Sequence, residues 1–428
     1  MNSNWALLGR ISAISARAPR GAMTLVITAM LVVFITHPLE AQTLNMLHVF
    51  MGSPDGSGPL TGPIQDKQGN FYATTFAGGT KEWGTVYKIG PKGKETVLHS
   101  FVGGSDGTTP TSGLTKDAEG NFYGTTYWGG SSNCFDGNGC GIVYKLSHTS
   151  RGWKETILYV FTGGADGAYP GNGTLARDAA GNLYGTTLYG GNEDWPNGNG
   201  VVYKLTHSSS GWKEHVLYAF GTNSQTDGGS PYGGVILDDA GNVYGSTYYG
   251  GSSGLGTVFK IEPNGSETIL YNFQGGTTDG AGPLSGLVRD EVGNLYGTTA
   301  YGGDLTCSSP IGCGTVFKVD ANGTETLLHI FTGYPLDGSA PGLLVRDKAG
   351  NLYGTAWGGG NSSKCLDSNN QPSGCGVIFE VNTKSKEIVL HNFSSGDGVG
   401  PSGLILYGGS FYGAASGFGN GLVFKFTK

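Results

Sequence analysis

The sequence predicts an all-β fold, a seven-bladed β-propeller of four-stranded blades closed by the N-terminal strand pairing in the last blade. Three observations carry that prediction. A phrase recurs seven times at a spacing of about 55 residues, the mark of a repeat architecture: GNFYATT from Gly69, GNFYGTT from Gly120, GNLYGTT from Gly181, GNVYGST from Gly241, GNLYGTT from Gly293, GNLYGTA from Gly350 and GSFYGAA from Gly409. Of 428 residues, 80 are Gly and 11% are aromatic while only 13% are charged, which suits short strands joined by tight turns. The last observation is a displaced strand motif, described below.

The chain opens with a segment that reads as an export signal. Arg10, Arg17 and Arg20 form a basic region, residues 22–36 are almost wholly apolar, and Leu39-Glu40-Ala41 ends in a small residue before Gln42. Cleavage after Ala41 divides the chain into a signal peptide, residues 1–41, and a propeller, residues 42–428. The apolar core, about 15 residues, is short of the roughly 20 that a membrane span needs, so a retained anchor is the lesser reading. No second hydrophobic stretch follows, and Lys428 comes directly after a strand, so neither a membrane span nor a C-terminal anchor is expected in the processed chain.

Each repeat unit then reads as four strands, in the second unit residues 112–116, 121–126, 142–146 and 155–161. The first two are joined by a short loop in which Asp caps the turn and Gly takes positive φ. That Asp stands three residues before the Gly at Asp66, Asp117, Asp178, Asp238, Asp290 and Asp347. A ring of carboxylates is the rival reading of these six, and turn-capping is preferred. The third strand is GTVYK, GIVYK, GVVYK, GTVFK twice, GVIFE and GLVFK, beginning at Gly84, Gly141, Gly200, Gly256, Gly314, Gly376 and Gly421. Its small, β-branched and aromatic residues fit a strand buried on both faces.

The fourth strand is ETVLHSF from Glu95, with counterparts from Glu155, Glu214, Glu267, Glu325 and Glu387. Its seventh copy, Asn45-Met46-Leu47-His48-Val49-Phe50, lies at the start of the processed chain, while the last unit ends after its third strand. A linear stack leaves both ends incomplete, whereas a ring lets residues 44–50 pair beside residues 422–426 and removes the exposed sheet edges. A β-solenoid is the alternative, and its coils usually have shorter periods.

All six cysteines fall as close pairs in equivalent loops: Cys134 with Cys140, Cys307 with Cys313, and Cys365 with Cys375. Disulfides within each loop are expected, each worth at most about 2 to 3 kcal/mol because the loops are small. Zinc is the rival, but no His or second Cys pair stands nearby to complete a tetrahedron. An oxidising destination agrees with the signal segment.

Together, GNLYGTT, the following GG, GTVFK, ETxLxxF and a GGxDGxxP turn resemble the GloVer tandem repeat of the choice-of-anchor extracellular proteins of bacteria. The resemblance covers nearly all of residues 42–428. It implies an exported repeat protein and supplies no catalytic residues.

Two sets of positions could bind a ligand. The loop after each fourth strand carries Asp-Gly, at Asp55, Asp106, Asp166, Asp227, Asp279, Asp337 and Asp397, with a Pro four residues further on. These loops open on one face of a propeller, so the Asp residues are candidates to circle one mouth of the channel and hold a cation or a basic ligand. Turn-making explains them as well. Calcium, which needs six to eight oxygens in one cage, is not served by one Asp per repeat. At the exit of the second strand stand Trp128, Tyr189, Tyr249, Tyr301 and Trp357, with Ala77 and Ser416 in the first and last units. Their rings could stack on sugars, or pack blade against blade.

His48, His99, His329 and His391 share their strand position with Tyr159, Tyr218 and Tyr271, which argues against catalysis there. No triad or phosphate loop stands out, and no cofactor or metal is expected. The Thr pairs of the second strand read as ordinary strand residues. The formal charge of -7, with no basic run past residue 20, speaks against nucleic acid.

The favoured reading is a monomeric, exported, non-catalytic binding or scaffold propeller, secreted, periplasmic or at the cell surface, recognising glycan or an extracellular protein through one face. The alternative is a carbohydrate-active or lactone-active enzyme using carboxylates at the channel mouth, with Asp136, Glu193, Asp194 and Asp367 as candidates. A purely structural envelope component is a third reading.

Overall fold

A strand buried on both faces has to be covered on both, and in this chain adjacent repeats do the covering. The computed structural model describes residues 42–130, 134, 137–192, 197–221, 227–307, 310–417 and 419–428, arranged as seven four-stranded antiparallel blades. The proposed signal segment, residues 1–41, lies outside the described residues. In the first blade the strands from inside out are Ile64–Gln65, Phe71–Thr75, Thr85–Ile89 and Glu95–Ser100. In the second they are Thr115–Lys116, Phe122–Thr126, Ile142–Thr149 and Gly152–Val160. No α-helix occurs among the described residues.

In the first six blades the inner strands are shorter than expected, two residues each. Near the axis the chain passes so close to its neighbours that Gly is required. A Cβ on Gly173 would lie 1.7 Å from the backbone nitrogen of Gly234, and one on Gly403 would lie 1.9 Å from that of Gly62.

Closure follows the expected course. Thr43–Val49 pairs antiparallel with Leu422–Thr427, matching Leu44 with Phe426, Met46 with Phe424 and Val49 with Leu422. The last blade is therefore built from both ends of the propeller sequence, with Val399–Tyr407 and Ser410–Gly417 on its inner side.

A repeated aromatic pair joins each blade to the next. The Phe that ends one outer strand meets edge-on the aromatic ring of the next blade's third strand. The pairs are Phe50 with Tyr87, Phe101 with Tyr144, Phe161 with Tyr203, Phe220 with Phe259, Phe273 with Phe317, Phe331 with Phe379, and Phe393 with Phe424. Centroids are 5.0 to 5.3 Å apart and every ring is buried. Edge-to-face pairs add about 0.5 to 1.5 kcal/mol beyond burial, so the contact is both glue and register mark.

The turn Asp residues act as caps. Asp117 accepts the backbone N–H of Asn121 at 2.8 Å, the Asn121 amide at 2.7 Å and the Tyr123 hydroxyl at 2.9 Å. The same set recurs at Asp66, Asp178, Asp238, Asp290 and Asp347. Burial works to raise these carboxyls, but the donors outweigh it and hold all six below the ordinary aspartate range.

The Thr pairs do more than favour a strand. In three units the first Thr reaches the neighbouring blade: Thr74 donates to the carbonyl of Ser112 at 2.9 Å, Thr186 to that of Gly233 at 3.1 Å and Thr298 to that of Gly342 at 3.0 Å. The second turns back on its own strand exit, as Thr126 does to the carbonyl of Trp128 at 2.7 Å.

Candidate functional site: the crossover face

The loop leaving each outer strand crosses to the next blade and pairs with the exit of that blade's second strand. Gly56 faces Gly78, Thr108 faces Trp128, Ala168 faces Tyr189, Gly229 faces Tyr249 and Ala281 faces Tyr301. This pairing puts the Asp-Gly loops and the second-strand aromatics on one face.

The Asp residues do not line the axial cavity. Each is drawn back to the outer strand it follows, because its carboxylate accepts the first free N–H beyond that strand. The donors are Met51, Val102, Thr162, Gly221, Gln274, Thr332 and Ser394, at 2.6 to 3.0 Å. Tyr159, Tyr218 and Tyr271 add a hydroxyl at 3.0, 3.1 and 2.9 Å to Asp166, Asp227 and Asp279. His48, His329 and His391 place Nε2 at 3.2, 3.0 and 2.9 Å from Asp55, Asp337 and Asp397, and His99 lies 3.3 Å from Asp106. The swap of His for Tyr is thus explained by a shared Asp partner.

Facing these clusters across six of the seven seams is the Glu that starts the next outer strand. Sequence reasoning treated it only as the first letter of a strand. Glu214, Glu267 and Glu325 are pushed up to about 7, by burial first and then by the charges of Asp166, Asp227 and Asp279. Glu155 is pushed up to about 9 by burial and by Asp106. In the closing seam Leu44 stands where the other blades carry Glu. A raised folded-state value binds protons that the unfolded chain releases. Its stabilisation is full below the unfolded value of about 4.3 and is lost as pH rises through about 7. Replacing Glu214, Glu267 and Glu325 by Gln should therefore shrink the stability difference between about pH 5 and about pH 8, measured by denaturant unfolding. An unchanged difference would show that these carboxyls titrate normally.

Among the described residues, two of the hollows between blades bear on this face and the axis. At the axis a cavity of about 610 Å³ takes lining from all seven blades, mostly aliphatic, including Leu60, Leu114, Val235, Leu284, Leu343 and Ile405. Of the candidate ligand residues only Trp357 reaches it, and no carboxylate does. The second hollow, about 360 Å³, lies over the seam between the first two blades. Trp83 and Trp128 flank it, Thr108 and Asn138 contribute polar atoms, and glycine backbone makes much of its wall. Trp83 was missed in the sequence, although a signal exists. Its unit has Ala77 where five others carry an aromatic residue, and the ring is supplied from the loop just before GTVYK instead.

The other aromatics divide. Tyr249 is 58% and Trp357 51% exposed, whereas Trp128, Tyr189 and Tyr301 are half-buried. Ring contacts link Trp128 through Tyr127 and Tyr169 to Tyr189, and Tyr249 through Tyr248 to Tyr301. Trp128, Tyr189 and Tyr301 therefore pack within the blades, while Tyr249 and Trp357 present exposed ring surface.

The three disulfides form as expected, Cys134 with Cys140, Cys307 with Cys313 and Cys365 with Cys375, with Cα separations of 5.1, 5.8 and 5.2 Å. They fit a chain that folds outside the cytoplasm. No helix among the described residues is long and apolar enough to cross a membrane. Of the enzyme candidates, Asp136, Glu193 and Asp194 lie outside the described residues. Asp367 caps an exposed turn, accepting the N–H groups of Asn369 and Gln371.

The fold and this face define a closed repeat propeller with its variable surface at the crossovers. A family profile for the Gloeobacter/Verrucomicrobia repeat matches residues 31–222 and 135–366, and the chain belongs to that family. No curated protein sequence matches it. Among solved structures, the extracellular domain of a B. thetaiotaomicron one-component system aligns at TM-score 0.52 and 10% identity, over 89% of this chain and 39% of that one. A Bacteroides uniformis protein assigned as a 6-phosphogluconolactonase aligns at 0.47 and 15% identity, over 80% and 89%. A Xanthomonas campestris gluconolactonase aligns at 0.40 and 14%, over 74% and 86%. At such identities the likeness is one of fold.

Proposed function

We propose that this is an exported, non-catalytic propeller, secreted or held at the cell envelope, that recognises glycan through its crossover face. The observation that carries the reading is the cleft between Trp83 and Trp128. Indole faces bury the apolar face of a sugar ring, while glycine backbone, Thr108 and Asn138 offer donors and acceptors close by. Trp83 is 43% exposed, more than blade packing requires. The repeat family fits a scaffold role, and the axial cavity lacks the paired acids that glycoside hydrolysis uses.

The test is retention on an array of polysaccharides. A W83A/W128A variant should lose about tenfold or more in affinity for whichever glycan the native chain retains, since buried Trp anchors commonly contribute about 2 kcal/mol or more. Its thermal midpoint should fall by only a few degrees, since Trp128 is half-buried against Tyr127 while Trp83 is 43% exposed. Equal retention by the variant would end the proposal, and failure to fold would reassign both rings to packing.

A further inference from the structure

Two of the inter-blade seams bring together an imidazole and two carboxylates from three separate elements. His99 comes from the outer strand of the first blade, Asp106 from the crossover and Glu155 from the outer strand of the second blade. His99 Nε2 lies 3.3 Å from Asp106 Oδ1 and 3.9 Å from Glu155 Oε2, and one ligand atom from each residue falls within 4.8 Å of the others. His329, Asp337 and Glu387 repeat the arrangement between the fifth and sixth blades, with His329 Nε2 3.0 Å from Asp337 Oδ2.

The spacing is that of a coordination shell. Zinc binds His nitrogen and carboxylate oxygen at about 2.0 to 2.2 Å, which sets tetrahedral ligand atoms roughly 3.3 Å apart. Two observations show unmet demand in the first seam. The side chain of Glu155 is only 10% exposed, and its Oε1 is buried without a hydrogen-bond partner. His99 Nε2 is likewise buried and makes no well-directed hydrogen bond, although it faces both carboxylates. In the second, Glu387 Oε1 is buried and unpartnered as well, as it is for Glu95, Glu214, Glu267 and Glu325, so what these two seams add is an imidazole that brings its nitrogen within reach of both carboxylates.

We propose that the His99–Asp106–Glu155 and His329–Asp337–Glu387 seams each bind a divalent transition-metal ion, with Zn²⁺ the best match to a ligand set of one imidazole and two carboxylates. Three protein ligands leave the fourth position to water. Calcium and magnesium, which want all-oxygen shells of six or more, are poorly served. The repeats supply their own controls. Three seams carry Tyr159, Tyr218 or Tyr271 in the His position and keep the Asp and the Glu, so the blade contact does not need the imidazole. The seam between the sixth and last blades keeps His391 and Asp397 but has Leu44 in place of Glu, and the seam between the last and first blades carries His48, Asp55 and Glu95 without gathering their ligand atoms within 4.8 Å of one another. Asp106 also belongs to the Gly104–Asp106 turn, and Gly104 lines the Trp83 and Trp128 cleft, so metal in the first seam would brace that wall.

The experiment uses the processed full chain, purified without a polyhistidine tag and stripped with chelator, then titrated with Zn²⁺ by calorimetry and with Co²⁺ by visible absorption. We expect two ions per chain, one in H99Y, one in H329Y and none in the double variant. The metal-free thermal midpoint should hold, because Tyr is what three seams already carry. As a second route, E155Q and E387Q should each weaken one site by about tenfold or more, with millimolar Ca²⁺ failing to compete. Uptake by the double variant equal to that of the native chain, equal competition by Ca²⁺, or no uptake at about 100 μM Zn²⁺ would overturn the proposal.

Discussion

A chain that begins at Met51 should fail to form a stable monomer. Removing residues 42–50 strips the outer strand from the last blade and uncovers the edge of Leu422–Thr427 along its whole length. It also removes Phe50, which is 2% exposed and packs edge-on at 5.0 Å against Tyr87, so the seam to the first blade opens with the edge. Truncating such a ring alone costs about 3 to 5 kcal/mol, a large part of the roughly 5 to 15 kcal/mol that holds a typical domain together. The expected result is loss of a cooperative thermal transition and elution as aggregates. A synthetic peptide of residues 42–50 should restore both in part by strand addition. A truncated monomer melting at the native temperature would show that the ring does not depend on this strand.

The second large effect is expected at the axis. Gly173→Ala places a methyl group 1.7 Å from the Gly234 nitrogen and 2.0 Å from its Cα, and neither obstacle is a side chain that can rotate away. The inner edges of the third and fourth blades must separate. The cost should be about 3 kcal/mol, the upper part of the usual range for overpacking. Gly396→Ala is the control, since the nearest obstacle to its methyl is Ser394 Oγ at 3.7 Å, and it should change stability by less than about 0.5 kcal/mol. Denaturant unfolding of both variants decides the matter. Similar midpoints would mean that the blades have slack at the axis.

Most of the fold was legible because it is periodic and local. The turn Asp, its Asn and the following Tyr lie within six residues of one another, and the third strand's buried character is written in five consecutive letters. Closure was legible because a motif was missing in one place and present in another. The candidate site was legible only in part. The Asp-Gly loops and the aromatics were found, but which neighbours they meet depends on contacts between repeats. Asp106 is claimed by the N–H of Val102, four residues away, and by the distant Glu155, which belongs to the next blade. Nothing in a single repeat announces that Glu155 will turn inward at a seam, or that Gly173 will touch Gly234. Trp83 escaped because it sits outside the repeated register.

The join between Thr43–Val49 and Leu422–Thr427 also sets a folding order. Partners such as Thr43 and Thr427 lie at almost opposite ends of the sequence, so this ladder has the greatest loop-closure cost in the molecule. Synthesis from the N-terminus delivers the closing strand first and its partner last. Six blades can assemble while that strand waits unpaired, and the circle is latched only when the final third strand arrives.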